Sequence, residues 1–421
     1  MDSVLSGPYR KVGFCVKFSL PRRAAVFIAV FVAAFALLSL PFLTAQEALS
    51  GGSVVSAELI FPLQTEHAHG SSLAELPNGD LLAVWFQGSG ERTANDVRLL
   101  GSRLKKGTSA WSEPFPMADT PGIPDCNPVL FFNGEKKLFL VWIAVLADRW
   151  EESVLRLRTS VDYSGDGAPV WNWQDNILFK PTDEFAEETA GKIRSVTRPD
   201  GVTDEQFNAE VERILAMSGD LRERSLGWMT RIVPIQLASG RILLPLYSDG
   251  FNFSLIAISD DQGETWRPSR PIIGLGIQPS LAENADGSIT AYMRNASGDP
   301  ERVWISRSTD AGETWSLAER SEMKSTASVD LFRLNDGRWI YVADDTDSGR
   351  WRLSLFVSHD EGKTWVRGET LEHDPTETNR YSYPCVIQSA DGRIHVSYSY
   401  HLEKERLKAI KHVVIDPNRL P

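Results

Sequence analysis

Two histidines spaced two apart, in Glu66-His67-Ala68-His69, begin a series of polar residues with chemistry to offer. On an extended strand such residues share a face, so with Glu66 they form either a base cluster or the start of a metal site. No third ligand follows at a diagnostic spacing, and neither a metal nor another cofactor is expected. Glu91 and Asp96 come next, in Glu91-Arg-Thr-Ala-Asn-Asp96, then Asp125 with Asn127, Arg231 with Tyr247 and Asp249, Gln278, Arg294, Asp330, and Tyr381 with Tyr383. Carboxylates and histidines move protons, tyrosine can attack or stabilise a cationic carbon, and a guanidinium holds an anion. Arg294 ends the run Thr290-Ala-Tyr-Met293 and is costly to bury alone, so a carboxylate should face it, either Asp330 or one carried by a substrate. Of Tyr381, Tyr383, Tyr398 and Tyr400, most read as packing residues with satisfied hydroxyls, and one is expected to be functional.

Residues so scattered act together only if the fold gathers them, and internal repeats supply the means. Ser259-Asp-Asp-Gln-Gly-Glu-Thr-Trp266, Ser308-Thr-Asp-Ala-Gly-Glu-Thr-Trp315 and Ser358-His-Asp-Glu-Gly-Lys-Thr-Trp365 share the pattern Ser-x-Asp-x-Gly-x-Thr-Trp at spacings of 49 and 50 residues. Each follows a short β-rich run and suits a turn: Asp accepts hydrogen bonds from its own loop, Gly takes positive φ, and Trp presses an apolar face on a neighbouring sheet. These boxes read as structural rather than catalytic. Degenerate versions end near Trp111 and Trp171.

Turn glycines at Gly79, Gly134, Gly240, Gly287, Gly337 and Gly392, each preceding an apolar strand, mark six units. The third interval between them is long, and Asp183–Leu226 fills it with the one convincing helical pattern, Phe207, Val211, Ile214 and Leu215 after the capping-box string Thr203-Asp-Glu-Gln206. A seventh unit there is disfavoured, because strand-like alternation is missing. Six units of about 50 residues without crossover helices predict an all-β, six-bladed β-propeller with a helical insertion at about 183–226. Val55–Pro62 and Ile410–Ile415 are the candidate strands that share a blade and close the ring. In such a ring the inner strands converge on a central tunnel, where the polar residues above can meet.

The chain has 421 residues, 42% hydrophobic, and 44 Lys+Arg against 56 Asp+Glu give a formal charge of −12. That balance disfavours a broad phosphate-neutralising surface, so nucleic acid is not an expected partner. Residues 1–23 are basic, and 24–45 contain the uncharged stretch Ala24–Leu43, which reads as a signal peptide or a membrane anchor. Either way the propeller, assigned to 46–421, is expected outside the cytoplasm, touching a membrane only through its N-terminal segment. Cys126 and Cys385 are too few for a disulfide framework; free buried thiols or one bridge remain open.

The three boxes resemble the Asp-boxes of the sialidase superfamily, and the span from about 57 to 416 is similar to its BNR-repeat, neuraminidase-like members. Asn284–Asn295 and Tyr381–Gly392 carry the likeness further. The resemblance implies three arginines for a sugar carboxylate, an aspartate acid/base and a tyrosine nucleophile assisted by a glutamate. Carried onto this sequence, it puts the second arginine at Arg294, the nucleophile at Tyr381 and the acid/base at Asp96. His69-Gly70-Ser71 stands where the first arginine is expected, and no third is assigned in blade five, which weighs against sialic acid.

The resulting expectation is an exported glycoside hydrolase that cleaves a terminal sugar from a carbohydrate partner. Asp96, Tyr381 and His69 are its catalytic candidates. Arg294, His67, Glu91, Asp125, Arg231, Gln278, Asp330 and Tyr383 are its substrate-binding candidates. A uronate-directed polysaccharide lyase using a His base and a Tyr acid is one alternative, and a non-catalytic glycan-binding propeller is another.

Overall fold

The computed structural model describes residues 52–296 and 301–421. The basic segment 1–23 and the apolar segment 24–45 lie outside the described residues. Six antiparallel sheets follow one another along the chain. Their inner strands are His67–Glu75, Asp125–Phe132, Met229–Thr230 continued by Ile235–Gln236, Gly276–Glu283, Asp330–Arg333 and Arg380–Gln388. Each turns back into a second strand that is almost wholly buried, as in Leu81–Gly88, Leu138–Val145 and Trp339–Asp344. Gly79, Gly240, Gly287, Gly337 and Gly392 stand in those turns at φ between 82° and 92°, a conformation that side chains resist. This is the six-bladed propeller that the repeat spacing predicts.

The ring closes through its chain ends. Val54–Leu59 pairs antiparallel with Leu407–Ile415 as the outermost strand of blade six, with Val54 opposite Ile415 and Leu59 opposite Lys411. The closing strands are the two that the sequence nominates.

The boxes form the expected turns. Asp261 accepts from the backbone N–H of Thr265 at 2.9 Å and from Ser259 Oγ at 2.9 Å, while the same Oγ accepts from the Gly263 N–H. Asp310 and Asp360 repeat the network with Thr314 and Thr364. The box glycine also makes the seam between blades. A Cβ on Gly263 would lie 2.6 Å from Phe139 of blade two, on Gly312 2.9 Å from Leu243 of blade three, and on Gly362 2.7 Å from Tyr292 of blade four. Each box therefore docks on the preceding blade, and glycine is required by contact as well as by φ.

Helices Asp183–Lys192, Asp204–Gly219 and Leu221–Ser225 occupy the insertion between blades two and three. Thr203 and Gln206 form both halves of the capping box. Phe185 packs edge-on against Trp228 and Phe251, which fixes the insertion to blade three. Cys126 and Cys385 are both buried and unbridged.

Candidate active site

Four inner strands share one irregularity. The pairing register shifts between His69 and Ser72, Cys126 and Val129, Ile277 and Ser280, and Ser382 and Cys385. In each a residue adopts positive φ: Gly70 (63°), Asn127 (52°), Gln278 (57°) and Tyr383 (61°). A bulge re-aims a side chain that regular alternation would send to the sheet face. For a tyrosine this conformation costs about 1–3 kcal/mol, so the surroundings must hold it. The buried Arg231 does so: its guanidinium donates to the carbonyls of Tyr383 (2.7 Å) and Ser71 (3.3 Å) and lies 4.8 Å from the centre of the Tyr383 ring.

These strands open on a cavity of about 270 Å³ lined by His69, Phe86, Glu91, Asn127, Trp150, Tyr247, Asp249, Ile277, Gln278, Arg294, Arg350, Arg380 and Tyr383. Three guanidiniums face it, and among the described residues none of the three is in an ion pair. Arg294 donates to the Tyr383 hydroxyl at 3.1 Å and to Gln278 Oε1 at 3.5 Å. The Arg350 guanidinium lies 5.4 Å from the Tyr383 ring centre. Burial works to raise the Tyr383 phenol, but Arg294 and Arg350, with Gln278 and Arg231, outweigh it and hold the phenol below its ordinary range. The site therefore eases loss of the phenol proton, which gives the nucleophilic form.

Proton-moving groups surround this tyrosine. The His69 ring sits 4.1 Å from the Tyr383 ring, and its Nδ1 shares a 2.7 Å hydrogen bond with Ser399 Oγ. Burial, reinforced by His401 and His67, keeps its pKa well below the usual range, so the ring is neutral at neutral pH. Burial raises the Asp249 carboxyl, only partly opposed by Arg294, which suits it to hold and donate a proton. Glu91 contrasts with it: burial pushes it up, but His67, 3.0 Å away, pulls it below the ordinary value and leaves a carboxylate. Two carboxyls in one cavity are thus pushed toward opposite protonation states.

Of the residues expected from sequence, His69, Glu91, Gln278, Arg294 and Tyr383 line the cavity, joined by Asn127, Tyr247 and Asp249. His67 stands behind Glu91 and takes a 2.8 Å contact from Lys408 Nζ at its other nitrogen. Arg231 underlies Tyr383 without lining the cavity. Four others lie elsewhere. Asp96 is exposed and binds the Ser89 N–H and hydroxyl, which hold its carboxyl low. Tyr381 packs at a tilt against Tyr400, ring centres 5.2 Å apart, and burial raises its hydroxyl. Asp125 is buried against Thr120 and the Trp142 indole N–H. Asp330 accepts from Ser280 Oγ and the Val386 N–H and lines a different cavity; it is not the partner of Arg294.

Arg350, Arg380 and Trp150 were not anticipated; Arg350 is a blade-five arginine at the cavity, in the blade where no third arginine was assigned. A signal for two of them exists. Glu91 and Asp249 come from the loop after the second strand of their blades, and the same loop in blades two and five carries Trp150 and Arg350. Among the described residues no His, Cys, Asp or Glu cluster is arranged to hold a metal.

Residues 79–202 and 225–396 match the BNR repeat-like domain. The chain is 28% identical over 179 residues to the anhydrosialidase of Macrobdella decora, which covers 38% of this chain and 23% of that protein. It spans under a third of the length of the curated relatives it matches. Its fold is similar to that of a protein of unknown function from Dyadobacter fermentans (TM-score 0.63, 18% identity, 87% of this chain and 100% of that one). It is also similar to that of the NanB sialidase of Streptococcus pneumoniae (TM-score 0.60, 13% identity, 86% and 71%).

Proposed function

The chain belongs to the BNR repeat-like domain family, and from that premise we propose that it is a glycoside hydrolase that removes a carboxylated terminal sugar. One observation carries the reading: Arg294, Arg350 and Arg380, none in an ion pair among the described residues, line one cavity around a tyrosine whose phenol Arg294 and Arg350 favour ionising. Unpaired guanidiniums in a confined cavity call for an anion, and the planar fork matches a carboxylate. The sialidase names of its relatives support the same class, which includes sialic acid.

In this reading the phenolate oxygen of Tyr383 bonds to the anomeric carbon as the bond from that carbon to the leaving oxygen breaks. Asp249 gives its proton to that oxygen. Water then attacks the sugar–tyrosine intermediate, its proton passing to the Asp249 carboxylate, and Tyr383 departs as phenolate, so configuration at the anomeric carbon is retained. The phenol proton leaves to water before the first step, a loss that Arg294 and Arg350 ease, while His69 stays neutral and packs against the Tyr383 ring. Aryl glycosides of N-acetylneuraminic acid, glucuronic acid, galactose and arabinose test the assignment. The acidic sugars should be released and the neutral ones spared, and Tyr383→Phe should slow release by about 10²-fold or more. Equal turnover of neutral glycosides, or an unaffected Tyr383→Phe variant, would overturn it.

The 4.1 Å contact of the His69 and Tyr383 rings favours one second reading, elimination. There His69 removes the proton beside a uronate carboxylate, Tyr383 protonates the leaving oxygen, and a C=C bond forms as the C–O bond breaks. The product's near-ultraviolet absorption separates it from hydrolysis. Export of the propeller is part of the proposal and rests on the basic and apolar stretches of residues 1–45; cell fractionation tests it.

A further inference from the structure

Four of the cavity's residues, Glu91, Trp150, Asp249 and Arg350, stand on loops rather than on strands, and two of these loops meet the helical insertion. Trp150 belongs to the tight turns Leu146–Asp148 and Trp150–Glu152, and Asp249 lies in the loop between Ile242–Ser248 and Phe253–Ser259. The helical insertion grips both loops. Arg213, in helix Asp204–Gly219, is braced by Glu210 through two hydrogen bonds (2.8 and 2.6 Å) and donates to the carbonyl of Gly250 at 2.7 Å, one residue from Asp249. Arg222, in the next helix, donates to Glu152 at 2.7 Å, two residues from Trp150. Where the insertion ends, the Gly227 N–H donates to the Ser153 carbonyl at 3.1 Å, and a Cβ on Gly227 would lie 2.6 Å from the Glu151 carbonyl oxygen.

We infer that the helical insertion is a clamp that positions the proposed acid: Arg213 fixes Asp249 through the Gly250 carbonyl, and Arg222 with Gly227 fixes the turn that presents Trp150. Without the clamp the loop bearing Asp249 gains freedom and the carboxyl gains water, so its proton is both misplaced and lost at lower pH. Arg213 and Arg222 are positioning residues; neither lines the cavity. The inference rests on the role given above to Asp249, and its test includes a readout that does not need turnover.

The full chain and its Arg213→Gln, Arg213→Lys and Arg222→Gln variants would be compared by amide hydrogen exchange and by pH–rate profiles on the acidic aryl glycoside that the wild type cleaves. In Arg213→Gln the amides of 248–252 should exchange about tenfold faster while those of the flanking strands keep their protection. The rate constant kcat should fall by about ten- to a hundredfold with KM within about twofold, and the alkaline limb of kcat/KM should move to lower pH. Arg213→Lys, which keeps a donor for the Gly250 carbonyl, should recover most of both effects, and Arg222→Gln should loosen 146–152 instead. Unchanged exchange in 248–252, or equal acceleration throughout the blade, overturns the clamp. Faster local exchange in a protein that cleaves no acidic glycoside leaves the clamp standing and refutes the functional reading alone.

Discussion

Replacing Arg350 by glutamine separates affinity from stability, because the first should fall while the second should not. The guanidinium faces the cavity with Arg294 and Arg380 and, among the described residues, has no carboxylate partner. A charge-assisted hydrogen bond contributes about 1.5–3 kcal/mol, so a bound carboxylate that loses this fork should bind about 10- to 150-fold more weakly. The empty protein loses only the contact of Arg350 with the Tyr383 ring and part of the field that offsets the burial of Asp344. One cation of an unpaired group of three is gone, like-charge repulsion falls, and Tm should hold or rise. Arg350 also helps hold the Tyr383 phenol below its ordinary range, so in the variant the limb of the pH–rate profile that requires the phenolate should move to higher pH. Titration calorimetry with glucuronic acid or N-acetylneuraminic acid, each against its methyl ester, reads the effect on binding. Affinity should drop for the acid and change little for the ester, with Tm not lowered. Equal losses for acid and ester would make Arg350 a packing residue and would remove the main support for a carboxylated substrate.

Asp344 is fully buried, neither of its carboxylate oxygens has a hydrogen-bond partner among the described residues, and burial, partly offset by Arg350, raises it to about 8. The folded protein thus keeps a proton there that the unfolded chain releases near the ordinary Asp value, and stability from this group falls as pH rises toward 8. Urea unfolding should therefore show Asp344→Asn gaining on the wild type by several kcal/mol between pH 5 and pH 8.5; a constant difference would refute the assignment. At the blade seams, Gly263→Ala should cost about 2–5 kcal/mol, from left-handed backbone strain plus the clash with Phe139, whereas Gly287→Ala, at φ 82° with open space around it, should cost about 1–2 kcal/mol. Equal losses would mean that the box glycines contribute through conformation alone.

Much of the architecture was legible because it is encoded locally and repeated. The Asp-box needs Ser, Asp, Gly, Thr and Trp at fixed offsets to satisfy one turn, so three copies about 50 residues apart announce three blades. Thr203 with Gln206 marks a helix start by the same local logic, and the strands at Val54–Leu59 and Leu407–Ile415 are the two left without a complete blade. Reading each blade at the ends of its inner strands also found Arg294, Gln278, His69 and Tyr383 as members of one group.

Which tyrosine faces the cavity was not legible. A strand without irregularity gives no reason to prefer Tyr383 to Tyr381, and the choice depends on a bulge between Ser382 and Cys385 that the buried Arg231, 152 residues earlier, holds in place. Trp150 and Arg350 were marked only by their place on the loop after a second strand, because a loop residue's direction depends on what packs beneath it, and Arg380, at the start of its strand, carried no signal. By itself the sequence determined how many blades form, where each turns and how the ring closes, since those follow from hydrogen bonds and φ angles within a few residues. Only the tertiary structure decided which side chains share the cavity and which carboxyl there is pushed toward its protonated form, because burial and the fields of distant charges exist only once the blades have met.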